Sequence, residues 1–203
     1  MTHYHRPKTN TLELEIITRR SLLAKIDTMD CYGNSIRGAN DLRDNTTRDK
    51  ALIAFLYLSA ARISEVVRRV RRSDLEIKQD EYGKYLVINN MLCLKRQDTK
   101  NLKRNIGIKI GKDKPFLKIL SRWTTQLDEE EVLFDISRQH AYRITRKCYD
   151  PGFCHYFRHL RLSHLASDGM TSSDLRQITG WTDDKPAKYY VHLNWQDVAR
   201  RMK

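Results

Sequence analysis

The chain has 203 residues, 40% of them hydrophobic, and its 38 Lys and Arg residues against 25 Asp and Glu give a formal net charge of +13. This composition supports one large domain or two small ones with a buried core, and no stretch approaches the roughly 20 apolar residues of a membrane span. The positive charge favours a polyanionic partner, because Lys and Arg placed against phosphates release counterions; a basic surface that only maintains solubility is the alternative.

The amino-terminal sequence and the cysteines indicate a cytoplasmic protein without a metal site. The polar start of the chain does not resemble a secretory signal. The four cysteines include no CxxC pair, which suits reduced thiols. Cys148, Cys154 and His155 have no fourth zinc ligand at a standard spacing, so no metal is expected.

The first part of the chain is predicted to contain a loose arm, a helix, a loop and a second helix. Apolar residues at helical spacing predict a helix within residues 12–29, and Gly, Asn and Asp predict a loop over 31–45. Residues 46–49 (Thr-Thr-Arg-Asp) resemble a capping box and would begin a helix that runs through Leu58. Because residues 51–56 are apolar on all sides, we expect this helix to be central and buried.

A small antiparallel sheet is predicted next. Its three strands are expected around residues 75–77, 85–88 and 106–110, with turns at 80–83 and 95–102. Six helical segments are then predicted: one from Asp113 and Pro115, one from Ser137 to about Cys148, one over 155–167, one from Thr171 and Asp174 to Gly180, one around 185–192, and one from Asn194 onward. The sequence therefore predicts an α+β fold that is mainly helical.

Residue types suited to phosphodiester chemistry occur in a fixed order along the chain. They are Arg62, Lys100, His155, Arg158, Trp181 and Tyr190. Two arginines can neutralise a phosphorane, a lysine and a histidine can transfer protons, and a tyrosine oxygen can attack phosphorus. The set indicates an enzyme that cleaves and rejoins DNA without a metal ion.

The contexts of these residues resemble the tyrosine recombinase (phage integrase) family. Its first motif, roughly Thr-Gly-Leu-Arg-Ile-Ser-Glu, is similar to residues 59–65, and its His-x-x-Arg-His motif is similar to residues 155–159. The family then has a glycine, twelve residues later a His or Trp, and nine further on the nucleophilic tyrosine. Gly169, Trp181 and Tyr190 match this spacing without a gap.

The resemblance covers about residues 8–203 and implies the tyrosine recombinase catalytic-domain fold. Residues 46–203 would form the catalytic domain with a carboxy-terminal tail helix, and residues 1–45 an arm and first helix in place of a full DNA-clamping domain. Ala60 stands where the family usually has glycine, which is a small change if the backbone there is helical. Trp181 stands where many members have histidine.

The resemblance also implies a role for each site residue. Tyr190 would be the nucleophile that forms a 3′-phosphotyrosyl link, and Arg62 and Arg158 would grip the nonbridging phosphate oxygens. Lys100 would protonate the leaving 5′-oxygen. The alternatives are Tyr189 for the nucleophile and Lys95 or Lys103 for the acid.

Four further side chains would assist this chemistry. His155 would act as an acid or base because imidazole titrates near neutral pH. Trp181 would donate one hydrogen bond to phosphate through its indole N–H. Glu65 would orient site residues, and His159 would support them.

The expected partner is double-stranded DNA. The chain would bind it as a homo-tetramer, with a monomer as the alternative for the free protein, and would need neither a cofactor nor ATP. The expected location is the cytoplasm, in association with the nucleoid of a prokaryotic or viral-host cell. Additional DNA contacts are expected from Lys95, Arg96, Lys103, Arg104, Arg68 and Arg69. The preferred function is site-specific recombination, in integration, excision or resolution of a mobile element or replicon. A type IB-like topoisomerase and a catalytically silent DNA-binding module of the same fold are the alternatives.

Overall fold

A buried helix lies at the centre of the structure, a computed structural model that describes residues 15–29, 45–94, 102–150 and 153–191. In this helix, α2 (Asn45–Ser59), residues 51–58 are at most 1% exposed. It is covered by α1 (Arg19–Thr28), α4 (Lys114–Thr124), α5 (Arg138–Cys148) and α6 (Cys154–Ser167). The remaining helices are α3 (Ile63–Val66), α7 (Ser172–Thr179) and α8 (Lys185–Lys188). The predicted central helix is confirmed, because an apolar helix is stable only when neighbours cover every side.

The three predicted strands form one antiparallel sheet in the order β1-β2-β3. They are β1 (Leu75–Asp80), β2 (Gly83–Leu92) and β3 (Lys103–Lys109). Asp80 pairs with Gly83 across the predicted first turn, and Ile88 pairs with Ile106. The register then shifts between Ile88 and Met91. The fold class is therefore as predicted, mainly helical with a small antiparallel sheet.

Strand β3 has one buried and one exposed face. Ile106 and Ile108 are each 2% exposed, whereas Lys103, Asn105 and Lys109 face solvent. Side chains alternate between the two faces of a strand. Consequently the even-numbered residues of β3 point toward α2 and α7, the helices against which the strand packs.

The first helix lies within the predicted range but occupies only Arg19–Thr28. Residues 15–18 are not helical, and the Thr18 hydroxyl accepts a hydrogen bond from the Ser21 N–H at 3.1 Å to cap α1. Side chains of α6 satisfy the backbone before the cap. The Tyr156 hydroxyl donates to the Glu15 carbonyl at 2.7 Å, and His164 Nε2 lies 2.9 Å from the Ile17 carbonyl. These partners explain why the amphipathic pattern does not continue as helix.

Two other boundaries differ from the prediction. Thr46 already lies within α2, so a capping box that begins at this residue is wrong. Helix α8 ends at Lys188, short of the predicted 192, because the chain tightens into a turn in which the Tyr190 N–H donates to the Ala187 carbonyl at 3.0 Å. The boundaries predicted for α4, α5, α6 and α7 are confirmed to within two residues.

Several predicted segments lie outside the described residues. They are the amino-terminal arm, most of the loop over 31–45, most of the turn over 95–102, and the helix from Asn194 onward. Within the described ranges, no helix combines the length and apolar character that a transmembrane segment needs.

A buried ion pair joins the start of α4 to the middle of α6. Arg161 donates from Nη1 to Asp113 Oδ1 at 2.9 Å, and its Nη2 lies 2.7 Å from Oδ2. The two side chains are only 5% and 10% exposed. Arg161 is therefore buried with Asp113 as its counter-charge, whereas Asp113 has a second, more distant cation in Arg19, whose Nε lies 3.7 Å from Oδ1.

We predict that Asp113→Asn lowers the free energy of unfolding by about 3–5 kcal/mol, because it leaves the Arg161 cation buried without its counter-charge. The matched control is Asp150→Asn. That carboxylate is 67% exposed and pairs with Arg146, which is 40% exposed, so its loss should cost about 1 kcal/mol or less. Chemical denaturation measures both, and equal costs would contradict the prediction.

Candidate active site

The chain reverses direction immediately before the first arginine of the predicted set. Ala60 has a φ of +48°, a left-handed conformation that ends α2 at Ser59. The replacement of glycine by Ala60 would be a small change in a helical backbone, but this backbone is left-handed, and an L-residue in this conformation is strained by about 1 kcal/mol. The alanine methyl group is nevertheless fully buried, in an apolar cluster that includes Leu162 and Leu175. The left-handed backbone gives a physical reason for the glycine of the resembling motif.

Arg62 is held by the buried carboxylate of Glu65. Glu65 Oε1 accepts from Arg62 Nη1 at 3.0 Å, and Oε2 accepts from the Arg62 N–H at 3.0 Å. The second oxygen also accepts from Arg104 Nη2 at 3.1 Å. The Glu65 side chain is 0% exposed, whereas that of Arg62 is 19% exposed. The carboxylate thus fixes the arginine while part of the arginine side chain remains accessible.

The carboxyl group of Glu65 remains ionised inside the protein. Burial alone raises its pKa, but the charge of Arg104, the Arg62 N–H bond and the charges of Arg62 and Arg158 lower it more. The net pKa lies below the usual range of a glutamate. Glu65 therefore acts as a fixed negative charge among three arginines.

Arg158 lies on α6 and is 1% exposed. Its Nη1 donates to the Ala60 carbonyl, and its buried Nη2 has no hydrogen-bond partner among the described residues. Burial, the charge of Arg62 and the charge of Arg104 lower the pKa of Arg158 to about 9, with Glu65 acting in the opposite direction. A buried cation with a spare donor and too little counter-charge is suited to binding an oxyanion.

Trp181 and Tyr190 pack beside Arg158. The Arg158 guanidinium carbon lies 5.3 Å from the centre of the Trp181 ring, within the range of a cation–π contact. The Trp181 and Tyr190 rings stack with centroids 6.0 Å apart and planes 19° apart. His159 lies on the other side of the tyrosine, with ring centroids 5.2 Å apart. Residues from α6, the α7–α8 turn and the end of α8 thus form one cluster.

The environment of Tyr190 sets its protonation. Burial raises the pKa of its hydroxyl, and the positive charge of Arg158 partly reverses that increase. The phenol is therefore protonated at neutral pH. Tyr189, the rival for this position, is 61% exposed.

The structure describes only one of the two remaining residues of the predicted catalytic set. His155 is exposed on the first turn of α6. Lys100, Lys95 and Arg96 lie outside the described residues.

Of the four described residues expected to contact DNA, three are exposed. Lys103, Arg68 and Arg69 face solvent, and Arg68 pairs with Asp135 at 3.1 Å. Arg104 does not fit the expectation. Its side chain is 7% exposed and bonds to Glu65. Strand alternation would have revealed this, because Arg104 shares the inward face of β3 with Ile106 and Ile108.

The buried His159 should make stability depend on pH. Burial lowers the pKa of its imidazole, so below about pH 6.5 the unfolded chain takes up a proton that the native protein does not. Stability should therefore fall as the pH is lowered from about 7 to 5. We predict that His159→Gln reduces this slope by up to about 1.4 kcal/mol per pH unit. Denaturant titrations at several pH values measure it, and an unchanged slope would contradict the prediction.

Gly180 ends α7 directly before Trp181 and has a φ of +69°. A Cβ at this position would lie 2.5 Å from Cys93 Sγ. We predict that Gly180→Ala lowers the free energy of unfolding by about 1–3 kcal/mol, through the left-handed backbone and the thiol contact. In a Cys93→Ala background the cost should shrink toward the backbone share of about 1 kcal/mol. A double-mutant cycle measures the coupling, and additive costs would contradict the steric explanation.

Comparisons with known proteins agree with this fold. The profile of the phage integrase family matches residues 34–197, whereas a comparison with curated sequences finds no match. XerH recombinase in a post-cleavage complex has a TM-score of 0.63 and 14% identity, covering 89% of this chain and 49% of that chain. XerA recombinase has a TM-score of 0.54 and 16% identity, covering 92% of this chain and 63% of that chain. The catalytic domain of bacteriophage HP1 integrase has a TM-score of 0.53 and 16% identity, covering 92% of each chain.

These values define what the chain shares with each structure. At such identities the likeness concerns the fold, and the chain spans about half the length of XerH. It aligns along nearly the whole of the HP1 integrase catalytic domain. The family match extends over most of the sequence and includes both arginine motifs and Tyr190. The chain belongs to the phage integrase family and has the catalytic-domain fold of the tyrosine recombinases.

Proposed function

We propose that this chain is a site-specific DNA recombinase that cleaves and rejoins strands through a 3′-phosphotyrosyl intermediate. The observation that carries the proposal is the convergence of Arg158, Trp181 and Tyr190 beside the Arg62–Glu65 pair. These residues come from four parts of the sequence. Packing alone does not require two arginines around one carboxylate next to a half-buried tyrosine.

The two arginines would neutralise the scissile phosphate. Arg62 has a partly exposed side chain, and Arg158 has a buried nitrogen without a partner among the described residues. A bound phosphate would supply the counter-charge that Arg158 lacks. Preorganised donors of this kind commonly contribute on the order of a hundredfold in rate each, because they stabilise charge that develops in the transition state.

Tyr190 would then attack phosphorus. Its oxygen forms the new P–O bond, the bond to the 5′-oxygen breaks, and the 5′-hydroxyl leaves with a proton that Lys100 is expected to supply. The phenolic proton must depart during the attack because the pKa of Tyr190 is raised, and His155 is the expected acceptor. Attack by a 5′-hydroxyl on the phosphotyrosine reverses these steps and rejoins a strand, so neither ATP nor a metal ion takes part.

Double-stranded DNA is the proposed partner. XerH is bound to a palindromic difH substrate in a post-cleavage complex, and the Tn1549 transposon integrase is in complex with transposon right-end DNA. FLP recombinase is in a Holliday junction complex. The net charge of +13 supports a polyanionic partner for this chain too. We extend the proposal to a tetramer on two duplexes, because strand exchange requires paired cleavages.

The proposal is tested by trapping the covalent intermediate. A pool of nicked duplexes of randomised sequence allows the short cleaved strand to dissociate and leaves protein on DNA. We expect the wild-type chain to form an adduct that survives detergent, and Tyr190→Phe to form none, because only the hydroxyl can bond to phosphorus. Arg158→Lys should lower the rate of adduct formation by about 100-fold or more.

The matched control is Tyr189→Phe, which removes the adjacent, exposed hydroxyl and should keep the wild-type adduct. Peptide mapping identifies the modified residue. An adduct that survives Tyr190→Phe, or the absence of an adduct with wild-type protein, would contradict the proposal. Relaxation of any supercoiled plasmid, without selection of a sequence from the pool, would instead favour a topoisomerase.

A further inference from the structure

Arg104 uses every nitrogen of its guanidinium inside the protein. Nε donates to the Ile178 carbonyl at 2.9 Å, and Nη2 donates to Glu65 Oε2 at 3.1 Å. Nη1 lies 3.1 Å from the Leu92 carbonyl and 2.9 Å from Cys93 Sγ. One side chain thus joins the end of β2, helix α3 and the end of α7.

The bond to Glu65 affects Arg62. Arg104 Nη2 and the Arg62 N–H share one carboxylate oxygen, while the Arg62 guanidinium uses the other. Without Arg104, the buried carboxylate would have Arg62 as its sole hydrogen-bonded cation among the described residues. The Arg62 side chain would then be drawn toward Glu65 and away from the accessible edge of the site, because a buried charge must be compensated.

The bond to Ile178 affects the turn that carries Trp181. Gly180 packs against Arg104, since a Cβ at Gly180 would lie 3.3 Å from Arg104 Cδ. Trp181 follows directly and contacts Arg158 and Tyr190. Arg104 therefore supports this aromatic pair through the Gly180 turn as well as Arg62 through Glu65.

A lysine could not replace this arrangement. Four acceptors surround the guanidinium in directions that match its planar fork, whereas an ammonium group is a point charge with three donors. The location on the inward face of β3 also separates Arg104 from Lys103 and Lys109, which face solvent. The guanidinium of Arg104 therefore lies inside the protein, on the side of β3 away from these exposed lysines.

We propose that Arg104 is a positioning residue for strand cleavage, which holds Arg62 through Glu65 and the Trp181 turn through Ile178 and Gly180. The proposal rests on the proposed recombinase function. Arg104 does not touch the reacting atoms, so its loss should reduce the rate of cleavage at saturating DNA and leave the affinity for DNA nearly unchanged. A misplacement of about 1 Å in a catalytic group can cost about a hundredfold in rate.

The test uses one duplex selected from the nicked pool and compares three variants. Arg104→Gln removes the charge and the fork, Arg104→Lys keeps the charge but removes the fork, and Lys109→Gln removes one charge from the exposed face of the same strand. We expect Arg104→Gln to lower the saturating rate by about 100-fold and Arg104→Lys by at least about 10-fold. Their dissociation constants should stay within about 3-fold, and Lys109→Gln should keep the wild-type rate.

A cycle with Glu65→Gln tests whether Arg104 acts through the carboxylate. In that background, Arg104→Gln should cost much less than 100-fold, because the shared partner is already altered. Circular dichroism and thermal melting establish that each variant is folded at the assay temperature. If Arg104→Gln does not fold, Arg104→Lys decides the outcome.

The results separate this inference from the proposed function. A wild-type chain that forms no adduct would overturn both. A wild-type adduct together with folded Arg104 variants at the wild-type rate would overturn the positioning role alone. The positioning role would also be overturned if these variants weaken DNA binding without changing the saturating rate, or if the rate losses of Arg104→Gln and Glu65→Gln are additive.

Discussion

Three guanidinium groups surround a single buried carboxylate, and the geometry of the site depends on this imbalance of charge. Glu65 accepts hydrogen bonds from Arg62 and Arg104, and its charge also acts on Arg158. One negative charge orders the cluster but does not neutralise it. The remaining positive charge is directed at the place where Trp181 and Tyr190 pack. An anion bound there would balance the excess positive charge of the arginines, and we therefore propose that the cluster binds a phosphate.

Helix α6 connects this cluster to the rest of the fold through polar contacts along its length. Its inner turn places Arg158 against the Ala60 carbonyl. Elsewhere along the helix, Tyr156 and His164 bond to the backbone before α1, and Arg161 pairs with Asp113. The helix is therefore fixed by buried polar contacts as well as by apolar packing. Such contacts have strict distance and angle requirements, so they define the position of Arg158 more closely than apolar contacts do.

Much of this structure follows from local sequence patterns. Alternating and helical periodicities predicted the strands and most helices, because burial of one face is a local property. The spacing from Trp181 singled out Tyr190, the less exposed of two adjacent tyrosines. Long-range partners were not predictable. The start of α1 depends on side chains from α6, and the left-handed backbone at Ala60 is stabilised by tertiary contacts. The burial of Arg104 was not anticipated, because its position in a basic segment was weighed above its parity in β3.

The most direct test of the central claim is a crystal structure of the covalent complex with a nicked duplex. The account predicts continuous density from Tyr190 Oη to a DNA phosphorus. It also predicts nonbridging oxygens of that phosphate at about 2.7–3.1 Å from nitrogens of both Arg62 and Arg158. A phosphate linked to another residue would contradict it. So would a phosphate linked to Tyr190 but beyond hydrogen-bond distance of both guanidinium groups.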